Sequence, residues 1–411
     1  MTETFKINRL SWQGDGVATV RNEDVFVPFA LPGELATGDI ANGICNDVRI
    51  LEPVTDRIKA QCRHFKKCGG CILQHANDAL LADWKTQLVQ DTLSLNHIEA
   101  TFRPIHVSPA HSRRRAVFSA RRTKKSAEVG FHMRNSDILI NLAECPLMQP
   151  QIMQGLDAFR EIAKIGCSRK DEIRIGATVT ENGLDVDVVD AKQLEPKQTE
   201  ALAMFATKHG FARISWNGEV LAQIKLPIQK FGTAHVIPPG GSFLQATQEG
   251  EKALVSASLE TLQGCKRVLD LFSGSGTFSL PLAQYSEVRA IESQPEMLAA
   301  LADGWRQAVG TKDVATEVRD LFYRPLLLDE LKPFDGVVID PPRAGALEQT
   351  RILAQSSISK ISFVSCNPAT FARDAKILIN GGYTLDWVQV VDQFRWSAHV
   401  ELVAQFTRNK A

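Results

Sequence analysis

The apolar run Val268-Leu269-Asp270-Leu271 passes directly into Phe272-Ser273-Gly274-Ser275-Gly276-Thr277, which predicts a strand ending in a glycine turn that opens a helix. Glycines at such a turn let the backbone pass close to a ligand at the carboxyl end of the strand. Further strand-length apolar runs follow at 288–292, 336–340 and 361–366, each separated by a helix-length segment. That alternation dictates an α/β fold with a parallel, doubly wound sheet. Two last strand candidates, 387–394 and 399–406, stand close enough to form an antiparallel hairpin at its edge. The whole pattern begins after Pro238-Pro239-Gly240-Gly241, which has the composition of a linker.

Upstream the texture differs. Residues 6–58 alternate short β-type runs with turn signals such as Gly14-Asp15-Gly16 and Leu31-Pro32-Gly33, the pattern of a small β-barrel. A helix is expected next, with Leu81, Trp84 and Leu88 on one face. Residues 128–240 mix strand and helix patterns, with a strand at 185–189 and a helix over 196–210. A chain of 411 residues reads as two or three domains. Lys plus Arg and Asp plus Glu each total 47, so nucleic-acid contacts must come from local patches rather than from net charge. Two stretches without an acid supply them: Arg57, Lys59, Arg63, Lys66 and Lys67, then Arg103, Arg113, Arg114, Arg115, Arg121, Arg122, Lys124 and Lys125. No apolar run is long enough to span a membrane and no apolar leader opens the chain, so a cytoplasmic protein is expected.

Three of the eight cysteines fall in Cys62-x5-Cys68-Gly69-Gly70-Cys71, with Cys145 far downstream before Pro146. In a cytosolic protein such clustering points to a metal rather than to disulfides. Three thiolates from one loop and a distant fourth suit either tetrahedral zinc or a cubane iron–sulfur cluster, and spacing leaves both open beside buried free thiols.

Chemistry-bearing residues recur at the strand ends. The strand after the glycine turn closes in Ile291-Glu292, where an acid can grip ribose hydroxyls. A third glycine of G-x-G-x-x-G is missing, so S-adenosyl-L-methionine fits better than a dinucleotide. The next ends are Asp340-Pro341-Pro342-Arg343 and Cys366-Asn367-Pro368. A thiol at this rim favours a nucleophile over a small core residue. His399-Val400-Glu401 sets a carboxylate in the terminal hairpin, where a surface glutamate is the plain reading.

These residues, with Phe243-Leu244-Gln245 and Ser365-Cys366-Asn367-Pro368-Ala369-Thr370, resemble the RNA 5-methyluridine (uracil-5) methyltransferase family. The likeness is closest to its ribosomal-RNA members that carry an iron–sulfur cluster and an N-terminal TRAM domain. The resemblance implies a TRAM/OB-like RNA-binding barrel over 1–58 and a central α+β domain over 59–240 with a 4Fe–4S cluster on Cys62, Cys68, Cys71 and Cys145. It implies a class I, Rossmann-like S-adenosyl-L-methionine methyltransferase domain over 241–411. Gln245, Phe272, Thr277, Glu292, Asp320 and Asp340 would contact the cofactor, Cys366 would be the nucleophile and Glu401 the base. The implied substrate is a uridine of RNA, ribosomal 23S before transfer RNA, acted on by a monomer. Thr277 stands where many members have Asn, and Ala246-Thr247 where they have Val-Asn. An amino-group RNA methyltransferase is the rival enzyme, but it would place an aromatic residue where this chain has Arg343. An RNA-binding iron–sulfur module without catalysis is the reading from another class.

Overall fold

Alternating apolar residues at the start of the chain do form strands. The computed structural model describes residues 2–168 and 171–408, so the outermost expected limits, Met1 and Ala411, lie outside the described residues. Six strands between Thr2–Lys6 and Ile44–Glu52 make one sheet, antiparallel apart from a single parallel bridge between Phe26 and Ile44. Its hairpin between Gly16–Val20 and Glu23–Val27 turns on Arg21 and Asn22, both at positive φ, as a tight two-residue turn between right-twisted strands requires. Phe5, Ile7, Val25, Val27 and Ala36 fill a small core of its own.

The cysteine loop follows, then the helix Asp78–Leu95, capped by Asn77, whose side chain accepts from Leu80 N at 2.8 Å. Leu81, Trp84 and Leu88 are buried on one face, as their spacing predicts, against Leu10, Leu31, Leu73 and Trp396. Lys85 is buried on that helix too, and all three ammonium protons find acceptors: Asp392 Oδ1 at 2.6 Å, and the carbonyls of Phe394 and His399, each at 3.0 Å.

A seven-stranded middle sheet runs from Leu139–Asn141 at one edge to Glu219–Gln223 at the other, with Arg115–Arg122, Glu172–Thr180 and Gly183–Val189 inside. Only Gly183–Val189 and Phe211–Trp216 pair in parallel, and the helix Pro196–Lys208 makes the crossover that parallel pairing needs. The expected linker at 238–241 is packed down on this sheet. Arg213 Nη2 donates to Pro238 O at 2.7 Å, a Cβ on Gly240 would meet Ser215 Oγ at 2.7 Å, and Gly241, at positive φ, lies against Asp187. The glycines there allow close approach rather than freedom.

The third sheet has eight strands in the order Val314–Val318, Glu287–Glu292, Arg267–Leu271, Gly336–Ile339, Lys360–Ser365, Glu401–Thr407, Thr384–Asp392, Phe102–Val107. The first five are parallel. Chain order reverses between Arg267–Leu271 and Gly336–Ile339, which opens a crevice beyond their carboxyl ends. One expectation needs correction. The terminal hairpin does not form the edge: Glu401–Thr407 lies inside, antiparallel to both neighbours. The edge is Phe102–Val107, parallel to Thr384–Asp392, and Pro104, which cannot donate to a ladder, is tolerated there because one side is unpaired. Val314–Val318 had no apolar run to announce it, being an edge strand with mostly uncovered side chains.

The Lys85–Asp392 pair gives a stability prediction. Lys85→Met leaves the Asp392 carboxylate buried without its counter-charge, which typically costs about 3–5 kcal/mol. The urea midpoint of the variant should fall accordingly, and an unchanged midpoint would mean the pair contributes nothing net.

Candidate active site

The glycine turn begins with strain: Phe272 sits at φ 65°, followed by Gly274 at 54° and Gly276 at 98°. A non-glycine residue held in the left-handed region costs of order 1 kcal/mol or more, and such residues gather at ligand sites. Gly276 is required by packing, since a Cβ would meet Leu301 Cγ at 2.8 Å. Gly274 N donates to Glu292 Oε2 at 3.1 Å, and Glu292 Oε1 takes the backbone N–H of Ser293 and Gln294. Glu292 is thereby locked at its strand end. Asp320 is fixed likewise by Phe322 N at 2.9 Å.

Beneath the turn, Asp270 is wholly buried; Oδ2 accepts from Ser279 Oγ at 2.6 Å, while Oδ1 has no partner. Burial pushes this carboxyl up to about 7. Ser273 Oγ and Ser275 Oγ are also buried and unpartnered. Orphaned buried polar atoms beside two fixed acids fit a polar, hydroxyl-bearing nucleoside ligand, the adenosyl cofactor expected from the sequence.

Across the crevice, the Pro341-Pro342 loop is fastened to the helix Pro368–Asn380. Asn367 Nδ2 and Thr370 Oγ1 both donate to Arg343 O, at 3.0 and 3.2 Å, while Asn367 caps that helix. Cys366 therefore faces a rigid wall. Burial first, then the nearby Glu401 and Asp340 charges, push its thiol up to about 11, with Arg343 opposing. Glu401 is not a surface residue but is 4% exposed. Burial and Asp340 hold its carboxyl well above the usual range, against a bond from Gln393.

One cavity of about 520 Å³ gathers Gln245, Phe272, Glu292, Asp320, Asp340, Cys366 and Glu401, with Phe243, Arg343 and Phe394 on its walls. Thr277 is not brought there; it faces a separate cavity of about 560 Å³ beside Glu251 and Tyr285. Sequence reasoning missed Gln393 and Lys85. No local signal marks Gln393, whereas Lys85 showed only as a charge interrupting an apolar helix face.

The arginine run does not present a solvated face. Arg114 is buried, paired with Glu251, and its backbone N and Nε hold the carbonyls of Ala246 and Gln245, each at 3.0 Å. Arg113 is largely covered and lies 5.8 Å from the Phe394 ring. Arg103 stacks on Trp387 at 3.6 Å and pairs with Glu260. These side chains build the fold, and Lys59, Arg63, Lys66, Lys67, Arg122, Lys124 and Lys125 are the exposed bases of the two stretches.

Cys62, Cys68, Cys71 and Cys145 are free, partly covered thiols, near enough that each of the last three feels charge on others. Burial pushes Cys71 up to about 12 and Cys145 to about 11. Backbone N–H groups of His64 and Gly70 point at Cys62 and Cys68 Sγ at 3.4 and 3.5 Å. Among the described residues, however, no three His, Cys, Asp or Glu side chains are drawn together as a metal-ligand set. The thiols converge on one region without closing a site. Sulfur facing N–H donors beside two glycines still fits a thiolate-held group.

A family model described as tRNA (Uracil-5-)-methyltransferase matches residues 213–408. An uncharacterized RNA methyltransferase of Brucella suis biovar 1 is 42% identical over 409 residues, covering 100% of this chain and 99% of its own. The 23S rRNA (uracil(1939)-C(5))-methyltransferase RlmD of Thiobacillus denitrificans is 32% identical over 444 residues, covering 99% and 100%. The crystal structure of Pyrococcus abyssi tRNA (uracil-54, C5)-methyltransferase with S-adenosyl-L-homocysteine superposes with a TM-score of 0.78 at 24% identity, covering 98% and 99%. That likeness is one of fold.

The raised thiol has a direct consequence. Alkylation of Cys366 by iodoacetamide should be slow near neutral pH and quicken about tenfold per pH unit up to about pH 10, because only thiolate reacts. Mass spectrometry of the Cys366 peptide reads this, and a rate already flat from about pH 7 would mean the thiol is ionised at rest.

Proposed function

The chain belongs to the family of S-adenosyl-L-methionine-dependent RNA uracil-5-methyltransferases, and on that premise we propose that it methylates carbon 5 of a uridine in 23S ribosomal RNA through a covalent adduct on Cys366. The single observation that carries the chemistry is one cavity lined by both a thiol and a buried carboxylate, Cys366 and Glu401. The full-length relative named for a 23S uridine favours ribosomal over transfer RNA.

Carbon 5 of uracil is too weak a nucleophile to take a methyl group unaided. Addition of the Cys366 thiolate at carbon 6 converts the ring to an enolate whose carbon 5 is nucleophilic. Arg343 is the charge that favours that thiolate. S-adenosyl-L-methionine supplies the methyl group, and Gln245, Phe272, Glu292, Asp320 and Asp340 would hold it. Glu401 then removes the carbon 5 proton and Cys366 leaves, restoring the double bond. Phe243, 62% exposed and on the cavity wall, would stack on a uracil turned out of the RNA. Thr277 is left out of this assignment.

The N-terminal sheet would act as a TRAM barrel, with exposed Trp12 and Phe26 to stack on bases and the exposed Lys59, Lys66 and Lys67 to meet RNA phosphates. No helix among the described residues is long and apolar enough to cross a membrane, and the proposed setting is a cytoplasmic monomer on RNA. Cys62, Cys68, Cys71 and Cys145 would hold a 4Fe–4S cluster whose part is to fix the loop rather than to pass electrons.

Two experiments test this reading. Glu401→Gln should still add Cys366 and accept methyl but fail to release it, so protein joined to methylated RNA should survive denaturing electrophoresis. Cys366→Ala should give neither adduct nor product; normal turnover by Glu401→Gln would remove Glu401 from the mechanism. For the cluster, anaerobically purified protein should be brown, with iron and acid-labile sulfide, whereas a colourless protein holding one zinc would overturn it.

A further inference from the structure

Two glutamines stand between the buried carboxyl groups of the cavity. Gln393 is 2% exposed and its amide is fully engaged: Nε2 donates to Gln245 Oε1 at 2.6 Å and to Glu401 Oε2 at 3.2 Å, while Oε1 accepts from Thr247 N at 3.4 Å. Gln245 passes the chain on, donating through Nε2 to Asp340 Oδ2 at 3.2 Å. An amide nitrogen can only donate and its oxygen only accept. The chain therefore has a fixed sense, in which both carboxyl groups receive an N–H. Neither meets in it the acceptor that a protonated carboxyl would need.

We propose that Gln393 is a positioning residue for proton removal, holding Glu401 ionised through Oε2 and leaving Oε1 to take the proton from carbon 5. The inference rests on the reading of Glu401 as the base. It answers a difficulty in the site, because burial and Asp340 both favour the protonated form of Glu401 and the Gln393 bond opposes them. The other ionisable groups around Glu401 do not replace that bond. Cys366 faces it as a thiol, Arg343 and Arg113 line the same cavity, and Lys85 spends its three donors on Asp392 and the carbonyls of Phe394 and His399. Gln393 is itself held from both sides: Asp392, next to it, is Lys85's partner, and the N-terminus of the helix Gln248–Thr261 packs a bare glycine, Gly250, against its amide. A Cβ on Gly250 would meet Gln393 Oε1 at 2.9 Å.

Gln393→Met keeps the length of the side chain and deletes both donors. Assayed on 23S RNA transcribed in vitro, it should turn over about tenfold more slowly near neutral pH and recover as pH rises, with the rising limb displaced upward by about one unit. The sign follows from the acid: losing a donor to the carboxylate raises its pKa, so more alkali is needed to ionise it. KM for RNA and affinity for S-adenosyl-L-methionine should hold within about twofold, and a denaturation-resistant protein–RNA adduct should build up at steady state. A loss of rate that is uniform in pH and without adduct would overturn the proposal, making Gln393 a packing residue. Glu401→Gln run in parallel separates the two ideas. If it traps adduct while Gln393→Met does not, only the positioning role fails; if it traps none, the base itself is misassigned. Should Gln393→Met fail to fold, Gln393→Asn draws the amide back by one methylene and should displace the limb the same way by less. No displacement in that variant overturns the proposal equally.

Discussion

One buried ammonium organises this protein. Lys85 lies on a helix directly after the cysteine loop, yet its bonds end on Asp392, Phe394 and His399, some three hundred residues on. Burying a cation is expensive unless every donor is met, and here the three acceptors span the whole connection between Thr384–Asp392 and Glu401–Thr407. The cysteine loop grips the same connection, since Ile72 N and Leu73 N both donate to Trp396 O, at 2.8 and 3.2 Å. Gln393, Phe394 and Glu401 thus owe their places to residues before position 90. The cavity is framed by the carboxyl ends of a doubly wound sheet, but its far wall is hung from the other end of the chain.

How much of this could be read from the sequence depends on whether the signal was local. Arg267–Leu271 and its glycine turn are apolar run, glycine and acid in one window, and they were legible nearly to the residue. Glu401 was not, as far as burial goes, because an acid between Val400 and Leu402 says nothing about what covers it. Arg114 read as part of a charge run because its partners, Glu251 and the carbonyls of Gln245 and Ala246, lie more than a hundred residues downstream. Gln393 and Lys85 were invisible for the same reason. Thr277 had the right neighbours in sequence, but the turn carries it toward Tyr285 rather than toward Glu292.

The cavity carries as many arginines as acids on its walls, yet its buried acids are poised toward protonation. Asp340 makes ionisation of both Glu401 and Cys366 harder, Glu401 does the same to Cys366, and burial adds to all three. Such a site avoids holding several negative charges in a poor dielectric. It leaves the backbone dipoles, Arg343 and the two glutamine amides to select which group is charged when RNA and cofactor fill it.

The edge strand Phe102–Val107 carries a different kind of consequence. Its partner, Thr384–Asp392, is made almost three hundred residues later, with the whole middle sheet in between. A growing chain emerging from the ribosome must keep this strand waiting, its hydrogen bonds given to water, until Thr384–Asp392 appears. Closing so long a loop is costly in entropy, though the cost grows only logarithmically with length. The catalytic sheet is therefore no cassette that could be cut out or exchanged at the Pro-Pro-Gly-Gly segment. A fragment beginning there would present Thr384–Asp392 as a bare edge, open to pairing with another chain.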